Sequence, residues 1–133
     1  MTEAATPATL AGRRILVAED EYMIAQEVAG VLAEASAEVL GPVSTVADAL
    51  RLVAAEDRLD AALLDVSLRG EAIWPVVDAL LARSVPVVLA TGYDVAALPG
   101  VYAQLPRCEK PVTGRDLTRA LARVLATQYP AGS

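Results

Sequence analysis

Ala61-Ala62-Leu63-Leu64-Asp65-Val66-Ser67-Leu68-Arg69-Gly70 is an apolar run that ends in one carboxylate, with no obvious turn beside it. Three other segments have the same grammar. Ile15-Leu16-Val17-Ala18 ends in Glu19-Asp20-Glu21. Val85-Pro86-Val87-Val88-Leu89-Ala90 ends in Thr91-Gly92, and Gln104 to Glu109 ends in Lys110-Pro111. Near-continuous apolar runs are strands covered on both faces, as in a parallel sheet. The polar residues that close them then gather at the carboxyl edge, where open α/β sheets bind ligands.

Between these runs the apolar period changes to that of a helix. In Glu21 to Ala35 the residues Ile24, Val28, Val31, Leu32 and Ala35 share a face. Ser44 or Thr45 is placed to cap a second helix carrying Val46, Leu50 and Val53. Glu71 to Arg83 reads as a third, with Pro75 near its first turn and Val76, Val77, Leu80 and Leu81 inward. Thr113 caps a last helix striped by Leu117, Leu121, Val124 and Leu125. Glu38 to Val43 is a weaker strand, and Pro42 places it at a sheet edge because proline donates no ladder hydrogen bond. The strands expected are Arg13–Ala18, Glu38–Val43, Leu59–Asp65, Val85–Ala90 and Gln104–Cys108. Gly92 to Gln104 has a poor pattern and supports barely one turn before Pro99-Gly100. Alternating strands and helices predict an α/β fold: a doubly wound, five-stranded parallel sheet in a three-layer sandwich. The expected boundaries are a flexible tail over 1–12, one domain over 13–127 and a short tail over 128–133.

The chain has 133 residues, enough for one core. It is 55% hydrophobic but only 4% aromatic, with no Phe, so that core is built from Ala, Val and Leu. A net charge of −6 and a pI near 4.5 argue against nucleic-acid binding, which needs cations for phosphates. The single Cys rules out an internal disulfide and fits a reducing compartment. With no His, zinc sites and His-activated nucleophiles are excluded. Met1 to Ala11 has neither the basic start nor the apolar core of a signal peptide, and no apolar run reaches the ~18 residues of a membrane span. The expected location is the cytoplasm, without membrane contact.

The carboxylates point to a metal. Glu19 and Asp20 close the first strand and Asp65 the third. If those strands are neighbours, the like charges repel unless a cation lies between them. Mg²⁺ suits so few carboxylates because it keeps water and takes phosphate oxygens. Asp20 is expected as a direct ligand, Glu19 as one through water, and the Ser67 main-chain carbonyl as a further contact. An Asp carboxylate is also a nucleophile towards phosphorus. Asp65 in that role needs positioning and charge neutralisation more than acid–base help. Lys110 would neutralise the phosphoryl oxygens and the Thr91 hydroxyl would donate to them. Alone, Glu19-Asp20-Glu21 would read as a solvated helix start, and Thr91-Gly92 as an ordinary loop. Their shared register with Asp65 and Lys110 gives them a joint meaning.

Over residues 13–127 the chain resembles the response-regulator receiver domains of bacterial two-component signalling. The pieces are Ile15-Leu16-Val17-Ala18-Glu19-Asp20-Glu21, Leu63-Leu64-Asp65-Val66, Ala90-Thr91-Gly92 and Lys110-Pro111. The resemblance implies a flavodoxin-like receiver fold and Asp65 as phosphoacceptor. It implies Glu19, Asp20, Asp65 and the Ser67 carbonyl around Mg²⁺, Thr91 as switch hydroxyl, and Lys110 as the phosphate-contacting lysine. It also implies a cis peptide at Lys110-Pro111 and movement of the segment from the fourth strand to the fifth. The donor would be the phosphohistidine of a histidine kinase or histidine phosphotransfer protein. The output would be a protein contact or a relay step, not enzymatic turnover.

Two positions depart from that family. Arg107 stands where Phe or Tyr usually lies three residues before the lysine, and Arg69 stands where Pro is often found. Arg107 is expected to face solvent. Pro86-Val87-Val88-Leu89-Ala90-Thr91-Gly92-Tyr93 and Leu68-Arg69-Gly70-Glu71 resemble the FATGUY subgroup of stand-alone receivers, with Leu89 replacing Phe. That subgroup tends to have a mobile fourth helix, and Tyr93 is a candidate substitute switch. The alternative is a pseudo-receiver, a phosphorylation-independent interaction module. A phosphatase is disfavoured because Ser67 stands where a second Asp would act. A flavin module lacks its phosphate loop.

Overall fold

The computed structural model describes residues 10–91, 98–110 and 113–128. The chain runs β1 (Arg14–Ala18), α1 (Tyr22–Glu34), β2 (Glu38–Val43), α2 (Val46–Ala55) and β3 (Ala61–Asp65). A small pair follows, β4 (Ser67–Leu68) and β5 (Glu71–Ala72), then α3 (Trp74–Ala82) and β6 (Val87–Thr91). A 3-10 turn (Gly100–Tyr102), β7 (Arg107–Glu109) and α4 (Gly114–Gln128) complete it. The main sheet is parallel throughout, in the order β2-β1-β3-β6-β7. The expected doubly wound sandwich is therefore the fold.

Strand alternation divides the core in two. Leu16, Ala18, Ala62, Leu64, Val87 and Leu89 face α2 and α3. Ile15, Val17, Ala61, Leu63, Val88 and Ala90 face α1 and α4. Side chains this small let both helix layers approach closely, and every residue of β3 and β6 is buried. Thr45 caps α2 by accepting the Asp48 N–H at 3.1 Å, and Thr113 caps α4 by accepting the Asp116 N–H at 3.1 Å.

Pro42 lies on the edge strand, as its chemistry requires, and the Gly41-Pro42 peptide is cis. Gly41 has φ +100°, and a Cβ there would lie 2.8 Å from Val43 N and 2.9 Å from Val17 O. Only glycine fits this approach of β2 to β1.

Several expectations need correction. Glu71 and Ala72 do not start the third helix but pair antiparallel with Leu68 and Ser67. The two-residue loop between them, Arg69 and Gly70, has φ of +49° and +85°. That is the sign a tight hairpin turn demands, and Gly70 makes it cheap. Leu81 is 45% exposed rather than inward. Strands β1, β3, β6 and β7 begin one to three residues later than expected. Leu10 is fully buried and Gly12 N–H donates to Ser36 O at 2.9 Å, so residues 10–12 belong to the packed body rather than a loose tail. The Lys110-Pro111 bond, Tyr93 and the weak helix after Gly92 lie outside the described residues.

Two contacts give stability tests. Asp60, 6% exposed before β3, accepts the Arg14 N–H at 2.8 Å and the Arg58 Nη2 at 2.9 Å. Burial raises its carboxyl, but the Arg14 N–H and then the Arg58 guanidinium outweigh it, and the net shift is downward. A carboxyl lowered in the folded state stabilises above its unfolded value and loses that contribution as pH falls through its folded one. Asp60→Ala is expected to cost about 1–3 kcal/mol at pH 7. In urea titrations the gap from the parent should narrow below about pH 4; a gap independent of pH would mean that the charge is immaterial.

On the side of the sheet that faces α2 and α3, Trp74 and Tyr102 stack at 4.2 Å between centroids and 6° between planes, and the Tyr102 hydroxyl donates to Asp78 at 2.9 Å. This stack ties the 3-10 turn to α3. Tyr102→Ala should shift the emission of Trp74, the single tryptophan, and cost about 1 kcal/mol, whereas Tyr102→Phe should keep the stack and most of the signal. Unchanged emission in Tyr102→Ala would contradict the contact.

Candidate functional site

Strand register builds the site. Ala18 pairs with Leu64, so Glu19 and Asp65 leave their strands at the same level on adjacent positions of the sheet. The chain order reverses between β1 and β3, which opens a crevice at their carboxyl ends. Glu19 N–H donates to Val43 O at 2.9 Å, which carries β1 one residue further before α1 begins. Glu19 and Asp65 are 6% and 8% exposed, and Asp20 is half-buried. One carboxylate oxygen from each of Glu19, Asp20 and Asp65 lies within 4.8 Å of the others.

Lys110 reaches this cluster from the end of β7. Its Nζ lies 2.9 Å from Asp65 Oδ2 and 3.0 Å from Glu19 Oε1. Lys110 N–H donates to Thr91 O at 3.0 Å, so one residue ties the end of β6 to both carboxylates. Burial raises the Glu19 carboxyl above its ordinary value, with the Glu21 N–H and Lys110 pulling against it and the Asp65 charge adding to it. Burial works to lower Lys110, but its hydrogen bonds to Asp65 and Glu19 prevail and hold it above the usual ammonium value.

One lysine leaves three clustered carboxylates short of positive charge. Their donor set is all hard oxygen, which fits a Mg²⁺ ion and suits neither zinc nor a soft metal. Asp20 is held by the main chain: the Arg69 N–H donates to its Oδ2 at 2.8 Å. A proline at 69 would lack that donor. The hairpin thus positions Asp20, a role invisible without the turn geometry. Ser67, in β4, is half-buried beside Asp65 in sequence. Thr91 ends β6 and is 1% exposed.

The structure thus joins Glu19, Asp20, Asp65 and Lys110 directly, with Thr91 linked through its carbonyl. Arg107 does not face solvent as expected. It is half-buried, and its Nη1 donates to Ala103 O at 2.9 Å and Leu105 O at 3.2 Å. Cys108 is buried, and burial raises its thiol, which keeps it protonated and inert.

A doubly wound sheet with an acidic crevice and a bridging lysine defines a class, and solved structures agree. SdrG from Sphingomonas melonis Fr1 is 39% identical, with a TM-score of 0.76 over 86% of this chain and 97% of that one. SdrG in its BeF3-activated conformation, from Pseudomonas melonis Fr1, gives 39% and 0.73 over 86% and 98%. A CheY-like response regulator receiver domain protein from Methanospirillum hungatei JF-1 shares the fold at 24% identity, with a TM-score of 0.77 over 89% and 97%. No family model matches the chain, and none of the curated proteins does. The chain belongs to the response regulator receiver domains. They are signalling domains rather than turnover enzymes, and no helix among the described residues is long and apolar enough to cross a membrane.

Proposed function

We propose that this chain is a receiver, with its domain over residues 13–127 and Leu10 to Gly12 packed onto it, that accepts a phosphoryl group from phosphohistidine onto Asp65. One observation carries this reading: Lys110 Nζ bridges Asp65 and Glu19 at 2.9 and 3.0 Å inside a three-carboxylate cluster. An Asp65 carboxylate oxygen forms the new bond to phosphorus as the phosphorus–nitrogen bond of the donor breaks, and the imidazole leaves with the electron pair. Glu19, Asp20, Asp65 and the Ser67 carbonyl would hold Mg²⁺, which when bound supplies charge neutralisation at the phosphoryl oxygens. Lys110 offers its ammonium to the same oxygens, and Thr91 its hydroxyl.

The 97% coverage of SdrG supports a match over the length of one receiver. That SdrG has a BeF3-activated conformation supports the expectation that BeF3⁻ mimics the acyl phosphate here. The proposed partners are a cytoplasmic histidine kinase or phosphotransfer protein and a downstream protein, with output by contact or relay. The pseudo-receiver alternative draws on Arg69 and Arg107, but Arg69 supports Asp20 through its own N–H, and this favours the phosphorylated reading.

The test is intact-protein mass after incubation with acetyl phosphate, with Mg²⁺ and with EDTA. A gain of one phosphoryl mass that requires Mg²⁺ is expected. No gain, from acetyl phosphate or from a cognate kinase, would transfer the chain to the pseudo-receivers.

A further inference from the structure

The core beside the acidic crevice is not filled. Among the described residues, the layer between the sheet, α1 and α4 is packed by Val, Leu, Ile, Ala and Cys108, with no aromatic side chain. A cavity of about 130 Å³ remains there. Val17, Leu63 and Ala90 line it from the sheet, and Val28, Val31 and Leu117 from the two helices. Its charged lining is Glu19, Glu27, Asp65 and Lys110, three acids against one lysine, a balance of −2. Val17 precedes Glu19 by two residues, and Leu63 precedes Asp65 by two. Such pairs share a face of the sheet and lie about 6.6 Å apart along the strand. The cavity therefore passes from apolar floor to carboxylates over a short distance. The Asp65 side chain is 10% exposed, and among the described residues it accepts a hydrogen bond through Oδ2 alone.

We propose that this cavity is a binding site for a small primary amine, with its apolar tail against Val17, Leu63 and Leu117 and its ammonium at Asp65 and Glu19. Size limits the tail. An apolar cavity of about 150 Å³ takes a benzene molecule, so this one takes about five carbons. Charge selects the head. Lys110 alone does not balance the carboxylates of the lining, and an ammonium brings the missing charge with three donors. A carboxylate head is repelled by the same lining, and a hydroxyl gives up the charge-assisted bond. The amine binds without a metal or a phosphoryl group, so the site stands apart from the proposed function. When bound, it occupies carboxylates that a divalent ion would need.

The test is methyl NMR of the protein in EDTA, titrated with n-pentylamine, 1-pentanol and pentanoate. The amine should bind most tightly and pentanoate least, with shifts concentrated at Val28, Val31 and Leu117. Tail length gives a second readout. Each methylene seated in the cavity tightens binding about fourfold, so propylamine should bind about tenfold more weakly than pentylamine. Octylamine overruns the cavity and should bind no more tightly than pentylamine. Asp65→Asn should weaken the amine by about tenfold and leave 1-pentanol unchanged. Val28→Phe, which fills the cavity, should weaken amine and alcohol alike. Circular dichroism would verify folding of both variants, and the wild-type series decides the question if Val28→Phe does not fold. Equal affinity for 1-pentanol, or undiminished amine affinity in Asp65→Asn, overturns the placement of the ammonium. Continued tightening at octylamine, or shifts spread over the surface, overturns the cavity site in favour of adsorption.

Discussion

Asp65→Asn takes up no phosphoryl mass from acetyl phosphate under conditions that label the parent. The amide keeps the shape of the carboxylate and loses its nucleophilic charge, so the effect falls on the chemistry and not on the packing. Asp65 is buried against Lys110 and beside Glu19, so the substitution also removes one of three crowded negative charges. The metal-free variant should therefore melt no lower than the parent, because Lys110 retains Glu19. That melting curve separates lost chemistry from lost fold. A stable variant that labelled at the parental rate would remove Asp65 from its role.

Lys110→Ala has the second large effect, and it is divided in two. Without Mg²⁺ the variant leaves Glu19 and Asp65, both buried, with no ammonium between them. Breaking such a pair strands the remaining charges, and a loss of about 2–3 kcal/mol is expected in urea unfolding at pH 7. Mg²⁺ should restore much of it, since an ion that binds only the folded form stabilises by mass action. The second part concerns coupling. Lys110 joins the carboxylates through its ammonium and β6 through its N–H to Thr91 O. The variant should still bind Mg²⁺ and BeF3⁻, with the shifts of β6 and β7 amides in NMR spectra strongly reduced. Parental shifts in the variant would locate the coupling elsewhere.

Much of the fold was legible because its signals are local and repeated. Ile15 to Ala18, Ala61 to Leu64 and Val87 to Ala90 each read as a strand covered on both sides, and each is one. Pro42 announced an edge by the donor it lacks. The carboxylates were legible as a group once two strands were assumed to be neighbours, and the register of Ala18 with Leu64 supplies that adjacency. The hairpin was not read. Leu68 and Ala72 fit a helical start as well as a strand pair, and the deciding feature is the positive φ at both Arg69 and Gly70. A charged residue such as Arg107 is expected at the surface. Its guanidinium instead satisfies two main-chain carbonyls, partners that no side-chain pattern encodes. Leu10 was lost in a stretch rich in Ala and Thr, where one buried leucine leaves no period.

The hydrogen bond from the Arg69 main chain to Asp20 has a consequence for mutagenesis. The donor is a peptide N–H, which nineteen of the twenty amino acids possess. A saturation library read for phosphorylation should accept most replacements at this position, with Gly and Asn the easiest because φ is +49°. Proline alone should fail completely, since it carries no hydrogen and holds φ near −65°. An alanine scan would pass over position 69 as silent, although the peptide unit there is a working part of the acidic crevice.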